Sequence, residues 1–344
     1  MPTGFATLTV ARVDRLCDDA VAVEFDEAPG FDFVAGQSLT VRRTVDEVEH
    51  RRTYSLCSPE DAQPRIGVRE VPGGTVSPWL VREVRPGDQV EAMAPSGRFA
   101  LIEPKGSHLC VAAGSGITPI LSIAATVLAA GGSVTLLYGN RGVDSVMFAE
   151  ELSDLKDAHP SRFHLVHLLS REPRDPELFS GRIDAERLAR LLTDIVPPRF
   201  DHAWLCGPWP MVEAAKEVLA AHGVSRERTH AELFFVDEPP PPPVRVQQSP
   251  ATDSVEVQVV LEGRRTSTQV APGTTVLDGV QATRADLPFA CKGGVCGTCR
   301  AKLVEGEVEM RRNYALDPSE LADGFVLTCQ AVPTGARVTV DFDA

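Results

Sequence analysis

Four cysteines near the C-terminal end of the chain constrain its fold more than any other feature. Cys291, Cys296 and Cys299 have the spacing C-x4-C-x2-C, and Cys329 lies well downstream. A [2Fe–2S] cluster needs four thiolates around two bridged irons, and one short loop can supply three of them. Glycines between the cysteines allow tight turns that bring backbone N–H groups close to sulfur. The spacing therefore predicts a [2Fe–2S] cluster bound by these four cysteines.

Two other interpretations of the cysteines stay open at this point. A structural zinc site usually contains two C-x2-C pairs, whereas this segment has one such pair, Cys296 and Cys299. Buried cysteines can also serve packing alone. The four remaining cysteines are scattered and are first interpreted as small core residues: Cys17, Cys57, Cys110 and Cys206.

The length and composition indicate a multidomain protein. A chain of 344 residues with 43% hydrophobic residues can form two or three packed domains. No apolar run approaches the ~18 residues of a membrane span, and the N-terminus lacks the pattern of a signal peptide. We therefore expect a cytoplasmic location with no membrane contact. That compartment also keeps cysteines reduced for iron binding.

The net charge narrows the class of partner. Thirty-four basic and 48 acidic residues give a charge of −14. Because nucleic-acid phosphates require a basic face, this charge argues against nucleic-acid binding. An acidic surface favours a partner with a positive docking surface, although ordinary solubility explains the charge equally well. We expect a chain that is monomeric in isolation.

Residues 1–103 are predicted to form an antiparallel β-barrel. Apolar or alternating runs of strand length are separated by glycine and proline, which is typical of a small barrel. A short helix is expected near residues 77–84. The predicted strands cover residues 7–13, 20–25, 38–43 and 65–70.

Residues 104–236 are predicted to form an α/β domain with a parallel sheet. Apolar strands alternate with helical patterns, as in βαβ crossovers. Helices are expected after residue 116 as far as about Ala130, and over 147–158 and 210–222. The predicted strands cover residues 107–113, 134–139, 163–169 and 202–206.

The remaining chain is predicted to be a linker followed by an α+β domain. Residues 237–252 contain five consecutive prolines, which favour a semi-rigid polyproline spacer. A ligand for a proline-binding domain is the alternative interpretation. Residues 253–344 show the element order of a β-grasp ferredoxin. Its predicted elements are strands at 255–261, 266–271 and 337–342 and a helix at 275–284.

RTYSLCS at residues 52–58 resembles the R-x-Y-S flavin motif of the ferredoxin–NADP reductase family. The resemblance implies that Arg52 neutralises the FAD pyrophosphate, that Tyr54 lies on the flavin ring and that Ser55 hydrogen-bonds its edge. A glycine-rich turn from Gly73 opens a short helix whose free N–H groups would bind the pyrophosphate. An edge strand and an ordinary turn are the alternative. The further FAD-binding residues that the resemblance implies are Val68, Gly74, Thr75, Val76, Ser77, Thr118 and Phe234, with Phe235 as an alternative to Phe234.

AAGSGITPI at 112–120, YGNR at 138–141 and CGPWPM at 206–211 resemble the pyridine-nucleotide segments of the same family. The first segment is not a full G-x-G-x-x-G fingerprint and would be weak evidence alone. The resemblance implies that Cys206 lies near the nicotinamide and that Glu232 approaches the flavin. Tyr54, Ser55, Cys206 and Glu232 are therefore the predicted catalytic residues. The predicted nucleotide-binding residues also include Gly114, Gly116, Thr118, Asn140, Arg141, Gly207, Pro208 and Met211.

Ser170 and Arg171 follow a predicted strand on the nucleotide side of the sheet. An arginine beside a hydroxyl suits a ribose 2′-phosphate, whereas an NAD site more often has an acidic residue there. NADPH is therefore favoured over NADH, and Arg182 is a candidate for assistance. A solvated surface arginine is the alternative.

The order of the three domains resembles that of oxygenase reductase components. The segment from Cys291 to Pro333 is most similar to the reductases of phenylacetyl-CoA epoxidases, with a plant-type ferredoxin domain. Steroid-ring hydroxylase reductases have the same pattern at Met310, Asn313 and Leu316. The resemblance implies electron transfer from NADPH through FAD and a [2Fe–2S] cluster to a di-iron oxygenase component.

Alternatives to this function also stay open. The chain could be the reductase of a steroid-ring or aromatic-ring hydroxylase that uses NADH. It could be a redox sensor without turnover, although a sensor needs no hydride path. It could also reduce small molecules directly, although direct hydride transfer needs no one-electron carrier.

Overall fold

The computed structural model describes residues 4–26, 29–234 and 254–344. The chain divides into two compact units, Met1–Phe235 and Val236–Ala344. The predicted linker at 237–252 and Phe235 lie outside the described residues. None of the described helices is both long and apolar enough to cross a bilayer.

The N-terminal part of the first unit is a six-stranded antiparallel barrel, as predicted. Its strands follow the order β4-β3-β6-β1-β2-β5, and a bridge between Leu56 and Ile66 joins the two edges. The interior is apolar, with fully buried residues such as Leu39 and Val68. The elements are β1 (Phe5–Cys17), β2 (Ala20–Phe25), β3 (Ser38–Val45), β4 (Val48–Ser55), β5 (Arg65–Arg69), α1 (Ser77–Arg82) and β6 (Gln89–Ser96).

The second part of the first unit is a five-stranded parallel sheet with helices, also as predicted. The strand order is β11-β10-β7-β8-β9, and every neighbouring pair is parallel. A 3₁₀ turn at Gly114–Gly116 joins the first strand to its helix. The elements are β7 (Ser107–Ala113), α2 (Ile117–Ala129), β8 (Ser133–Asn140), α3 (Ala149–Ala158), β9 (Phe163–Leu169), α4 (Ala185–Asp194), β10 (His202–Gly207), α5 (Trp209–Ala221) and β11 (Thr229–Leu233).

Helix α2 is buried on nearly all sides because it packs between the parallel sheet and the barrel. Ser122 Oγ donates to the Ser58 carbonyl at 2.6 Å on the barrel side. A Cβ atom on Gly36 of the barrel would lie 3.2 Å from Ile123 Cδ1. The small and aliphatic sequence of α2 thus lets one helix pack in a core shared by the parallel sheet and the adjoining side of the barrel.

The second unit is an α+β domain built on a mixed five-stranded sheet, as predicted for a β-grasp. Its sheet order is β13-β12-β18-β14-β16, and a separate ribbon pairs β15 with β17. The elements are β12 (Val255–Leu261), β13 (Arg264–Val270), α6 (Val276–Gln281), β14 (Arg300–Glu305), β15 (Val308–Met310), α7 (Pro318–Ala322), β16 (Phe325–Leu327), β17 (Ala331–Pro333) and β18 (Arg337–Asp341).

Helix α6 is shorter than the predicted 275–284. Thr275 caps its start by accepting from Asp278 N, as expected for a threonine N-cap. Its other end is set by Arg284, whose guanidinium donates to the backbone of Leu261 and Arg264. The guanidinium of this buried arginine has three acceptors on the β12–β13 hairpin: Leu261 O, Arg264 O and Thr266 Oγ1.

All eight cysteines are free. Cys57 and Cys110 are buried in the first unit, as expected of small core residues. Cys17 differs from that expectation, since it lies half-buried at the end of β1. Its thiol donates to Asp19 Oδ1 at 3.2 Å, because the strand ends there in a polar turn.

Candidate functional site

The barrel and the parallel sheet of the first unit meet at three of the four predicted catalytic residues. Ser55 ends β4, and its Oγ donates to Glu232 Oε2 on β11 at 3.2 Å. Cys206 on β10 is the register partner of Glu232. Side chains at paired positions of parallel neighbours lie on the same face, so Ser55, Glu232 and Cys206 form one contiguous group.

Burial disfavours negative charge on the acidic members of this group. Burial raises the pKa of the Glu232 carboxyl to about 8, although the hydrogen bond from Ser55 opposes the shift. Burial and then the Glu232 charge raise the pKa of the Cys206 thiol well above its usual range. Burial therefore favours the protonated form of both the Glu232 carboxyl and the Cys206 thiol.

Tyr54 links the two predicted flavin segments. Its half-buried ring lies on β4, and burial raises the pKa of its hydroxyl, which is hydrogen-bonded to Ser77 of α1. Arg43 Nη1 donates to Thr75 O at 2.8 Å and fixes the turn before α1. Arg52 is exposed at this end of β4. A cationic side chain, a tyrosine ring and a helix start thus adjoin each other, as a flavin with its pyrophosphate requires.

The remaining predicted flavin residues lie along the same region. Gly74 forms a turn in which a Cβ atom would come within 2.9 Å of Val71 O. Val68 is buried in β5, and Phe234 is exposed after β11. The nearby Thr53 Oγ1 is buried without a hydrogen-bond partner among the described residues. An unpartnered buried hydroxyl beside Tyr54 fits a polar ligand at this edge.

The glycine turn after β7 packs directly on β10. A Cβ atom on Gly116 would lie 2.1 Å from Cys206 O, so only glycine allows this approach. Gly114 has a φ of +54°, and its carbonyl accepts from Tyr138 Oη at 3.1 Å. Thr118 is buried, and its methyl would lie 2.3 Å from a Cβ on Gly67 of β5. The turn thus touches both the barrel and the residue predicted to face the nicotinamide.

The carboxyl ends of the parallel strands meet beside this turn, where open α/β sheets bind ligands. Asn140 ends β8 with 7% of its surface exposed, and both of its amide atoms lack a hydrogen-bond partner among the described residues. Gly207 ends β10, and a Cβ there would lie 2.6 Å from Met211 Cε. Pro208 is exposed and opens α5. The orphaned amide of Asn140 fits a bound nucleotide.

Ser170 and Arg171 continue the edge beyond β9. Their backbone amides donate to the carbonyls of Asn140 and Arg141, at 2.9 and 2.8 Å. A parallel bridge from Leu169 to Ser180 brings the next segment alongside, and in that register Arg182 runs beside Arg171. Arg141, Arg171 and Arg182 are exposed on the segments that follow β8 and β9.

The cysteine loop of the second unit presents backbone amides to sulfur. Gly293 N and Cys296 N donate to Cys291 Sγ at 3.3 and 3.5 Å. Gln330 Nε2 donates to Cys329 Sγ at 3.5 Å. Because such donors stabilise thiolates and cluster sulfur, the loop fits an iron–sulfur cluster.

The four cysteines interact mainly as two pairs. Hydrogen bonding with Cys296 lowers the pKa of the Cys291 thiol to about 5, and hydrogen bonding with Cys299 lowers the pKa of Cys329. Among the residues that the structure describes, no three His, Cys, Asp or Glu side chains surround one metal-ion position. Two adjacent thiol pairs suit two irons better than one zinc ion.

The segment after β15 supports the cysteine loop. Asn313 and Leu316 exchange hydrogen bonds, each at 2.8 Å. Tyr314 N donates to Gly294 O at 3.1 Å, and Leu327 N donates to Met310 Sδ at 3.4 Å. The predicted pattern at Met310, Asn313 and Leu316 therefore has a local structural role.

Three domain families match this chain in order. The oxidoreductase FAD-binding domain matches residues 8–101, and the oxidoreductase NAD-binding domain matches residues 110–217. The 2Fe-2S iron-sulfur cluster binding domain matches residues 259–334, which include all four cysteines. The predicted cofactor classes are confirmed at this level.

Relatives extend the match over the whole chain. It is 40% identical to a component of the 1,2-phenylacetyl-CoA epoxidase of Escherichia coli (strain K12), covering 99% of both proteins. It is 34% identical to the ferredoxin reductase component of 3-ketosteroid-9-alpha-monooxygenase from Rhodococcus rhodochrous, covering 97% of this chain and 96% of that protein. The phthalate dioxygenase reductase structure matches 98% of both chains at 25% identity and a TM-score of 0.62.

The fold and these matches define a flavin and iron–sulfur oxidoreductase. The chain belongs to the family of oxygenase reductase components that combine FAD-binding, NAD-binding and 2Fe-2S domains. Membership favours electron transfer to a protein partner over the redox-sensor and small-molecule alternatives.

Sequence reasoning missed several residues that hold the site together. Arg43, Gly67 and Tyr138 act through contacts with distant segments. Gly67 lies inside the predicted strand at 65–70, and a glycine within a buried strand often marks a close contact, so this signal was available for Gly67. Tyr138 lies inside the YGNR segment but was not singled out. Arg43 carries no local signal.

Replacing Glu232 with glutamine should change how stability depends on pH. Because the pKa of folded Glu232, about 8, lies above the usual value, its stabilising contribution is complete below about pH 4.5 and is lost as pH rises through 8. Glu232→Gln cannot ionise, so its melting temperature relative to wild type should rise by about 5 °C from pH 6 to pH 9. Flavin-fluorescence melting curves measure this difference.

Glu213→Gln, which alters an exposed carboxylate on α5, is the matched control and should keep the wild-type pH dependence. A difference between Glu232→Gln and wild type that is the same at pH 6 and pH 9 would show that Glu232 is already ionised at neutral pH.

Replacing Cys329 with serine should remove the cluster and spare the flavin. The four predicted cluster cysteines lie in the second compact unit and the flavin segments in the first. The loss of one thiolate should therefore not affect flavin binding by the barrel. We expect loss of cluster absorbance and iron, with flavin reduction by NADPH near the wild-type rate in anaerobic stopped-flow experiments. Cys17→Ser should retain both cofactors. Loss of flavin from Cys329→Ser would contradict the independence of the two units.

Proposed function

We propose that this chain is the reductase component of a phenylacetyl-CoA epoxidase, a di-iron oxygenase, and that it uses NADPH, FAD and a [2Fe–2S] cluster. The observation that carries the proposal is the group of Ser55, Glu232 and Cys206, which joins the flavin-type barrel to the nucleotide-type sheet. The 40% identity to an epoxidase component over 99% of both chains supports the choice of partner.

The bound cofactors supply the redox chemistry, since a flavin accepts a hydride and releases electrons singly to a one-electron cluster. In this proposal Arg52 binds the pyrophosphate, Tyr54 covers the ring and Ser55 hydrogen-bonds its reactive edge. The Thr118 position between β5 and the glycine turn suits contact with both flavin and nicotinamide.

Glu232 and Cys206 complete the pocket in the proposal. Glu232 accepts a hydrogen bond from the Ser55 hydroxyl and so fixes the direction of that side chain. Because burial keeps Glu232 and Cys206 neutral near pH 7, no fixed negative charge opposes the arrival of a hydride. The pair also helps to exclude water from the transfer.

We assign the nucleotide to the carboxyl edge of the parallel sheet. Gly114, Gly116 and Gly207 let the backbone approach the phosphates, and the unpartnered amide of Asn140 offers a donor and an acceptor. Ser170 and Arg171 then bind the ribose 2′-phosphate, with Arg182 beside them. A guanidinium paired with a hydroxyl favours a dianionic phosphate over a free 2′-hydroxyl.

The proposal places the chain in the cytoplasm as a monomer, with an oxygenase component as its partner and neither nucleic acid nor membrane. The cluster thiolates require a reducing compartment, and all eight cysteines are free. The net charge of −14 disfavours nucleic-acid phosphates.

Anaerobic absorbance titration with NADPH and with NADH tests the nucleotide assignment. NADPH should reduce both flavin and cluster at low excess, whereas NADH should require far more. Arg171→Ala should weaken NADPH binding by about tenfold, because one charge-assisted phosphate contact is lost, and should leave NADH unchanged. Arg199→Ala is the matched control, since Arg199 is exposed before the amino end of β10, away from the carboxyl ends of the strands. Equal effects of Arg171→Ala on both nucleotides would contradict the assignment.

Reconstitution with purified oxygenase components tests the partner. The chain should support NADPH-dependent conversion of phenylacetyl-CoA by the epoxidase, and Cys329→Ser should not. A 3-ketosteroid 9α-monooxygenase oxygenase is the second candidate partner, because a reductase component of that enzyme is 34% identical over 97% of this chain. Turnover with the steroid oxygenase and none with the epoxidase would select this alternative.

A further inference from the structure

Gln330, the residue after the fourth cysteine, has a buried side chain aimed at the cluster loop. Only 3% of its surface is exposed. Nε2 donates to Lys292 O at 2.8 Å and to Cys329 Sγ at 3.5 Å. The amide orientation is fixed, because a flipped amide would place Oε1 against the Lys292 carbonyl oxygen. One NH2 group thus contacts a cluster cysteine and the backbone of the cysteine loop.

Lys292 occupies an unusual backbone conformation that Gln330 helps to hold. Its φ is +51°, a left-handed value that non-glycine residues seldom adopt. The Lys292 carbonyl accepts from Gln330, and its ammonium contacts Asp278 Oδ1 and Gln281 Oε1 at 2.8 and 2.9 Å. The residue is therefore anchored through both its backbone and its side chain.

The same peptide group connects Gln330 to a second cysteine. The carbonyl of Lys292 and the N–H of Gly293 belong to one peptide unit, and Gly293 N donates to Cys291 Sγ at 3.3 Å. A hydrogen bond at the carbonyl polarises the peptide and strengthens its N–H as a donor. Gln330 therefore acts directly on Cys329 and, through one peptide, on Cys291, which is one cysteine of each pair.

The position of Gln330 is itself well defined. Its backbone N donates to Leu327 O at 2.8 Å, and its carbonyl accepts from Arg311 N at 3.1 Å. A Cβ atom on Gly294 would lie 3.1 Å from Gln330 Cγ, so the loop packs closely on the side chain. Oε1 is buried without a hydrogen-bond partner among the described residues. The side chain thus keeps an orientation that leaves one acceptor unpartnered while its donor faces sulfur.

We propose that Gln330 is a positioning residue that raises the reduction potential of the [2Fe–2S] cluster. Hydrogen-bond donors to cysteine sulfur favour the more negative, reduced cluster. Gln330 supplies one such donor and aligns a second. The proposal rests on the assignment of Cys291, Cys296, Cys299 and Cys329 as cluster ligands.

Replacing Gln330 with leucine tests the proposal in the full-length holoprotein. Leucine has a similar volume and removes both the donor and an unpartnered buried acceptor. Because the Lys292 carbonyl also loses its donor, the melting temperature should fall moderately while the fold is kept. The cluster should remain, with iron content near wild type. At an applied potential equal to the wild-type midpoint, the ratio of reduced to oxidised cluster should fall about tenfold. An anaerobic dye-mediated titration, followed by EPR of the reduced cluster, measures this ratio and any change in the signal.

Thr328→Val is the matched control. Thr328 is fully buried, and its Oγ1 donates to Cys299 O at 3.0 Å. The variant removes a buried hydrogen bond beside the cluster without altering a donor to sulfur. Its cluster should keep the wild-type midpoint potential even where its melting temperature falls.

The possible outcomes distinguish failure of the proposed role of Gln330 from failure of the cluster-ligand assignment. If Gln330→Leu loses its cluster, Gln330→Met provides a longer side chain that also lacks the donor. A wild-type midpoint in either variant with intact iron content overturns the role of Gln330. Wild-type protein without two irons per chain or without a [2Fe–2S] EPR signal would instead overturn the ligand assignment.

Discussion

The arrangement of Ser55, Glu232 and Cys206 in the first unit depends on close packing at two glycines. Gly116 lies so near the Cys206 carbonyl that a methyl group cannot fit between them, and Gly67 of the barrel leaves equivalent room for Thr118. The Gly67–Thr118 contact lies between the barrel and the parallel-sheet part, and Ser55 of the barrel also reaches Glu232 of that sheet at 3.2 Å. Since packed interiors deform little, these glycines help to fix the positions of Ser55, Glu232 and Cys206, and Gly116 does so through direct contact with the Cys206 carbonyl.

The two candidate redox centres favour opposite protonation states of their acidic side chains. Around Glu232 and Cys206, burial disfavours charge and leaves an acid and a thiol protonated. Around Cys291, amide donors and the neighbouring thiol favour the thiolate. A hydride acceptor benefits from a dry pocket without negative charge, whereas iron requires thiolates. One chain therefore stabilises the neutral and the charged form of cysteine at separate sites.

The sequence predicted most elements whose burial follows a simple pattern. The strands Ala20–Phe25 and Ser107–Ala113 agree with prediction because predominantly apolar runs are buried on both faces. The strand Phe163–Leu169 also agrees, although its middle is only half-buried. Strand β6 was not predicted, since only some of its residues are buried. The cysteine spacing identified the cluster loop, but the roles of Arg43 and Gln330 depend on contacts with residues 32 and 38 positions away. Such contacts have no periodicity to detect.

The pattern at Met310, Asn313 and Leu316 shows what this family resemblance can and cannot specify. Asn313 and Leu316 close a hydrogen-bonded ring, Met310 accepts from Leu327 N, and Tyr314 between them bonds to the cysteine loop. These contacts support the cluster whatever oxygenase receives the electron. The pattern therefore identifies the type of ferredoxin domain and carries no information on the acceptor. Discrimination between an epoxidase and a steroid oxygenase must come from exposed residues that meet the partner.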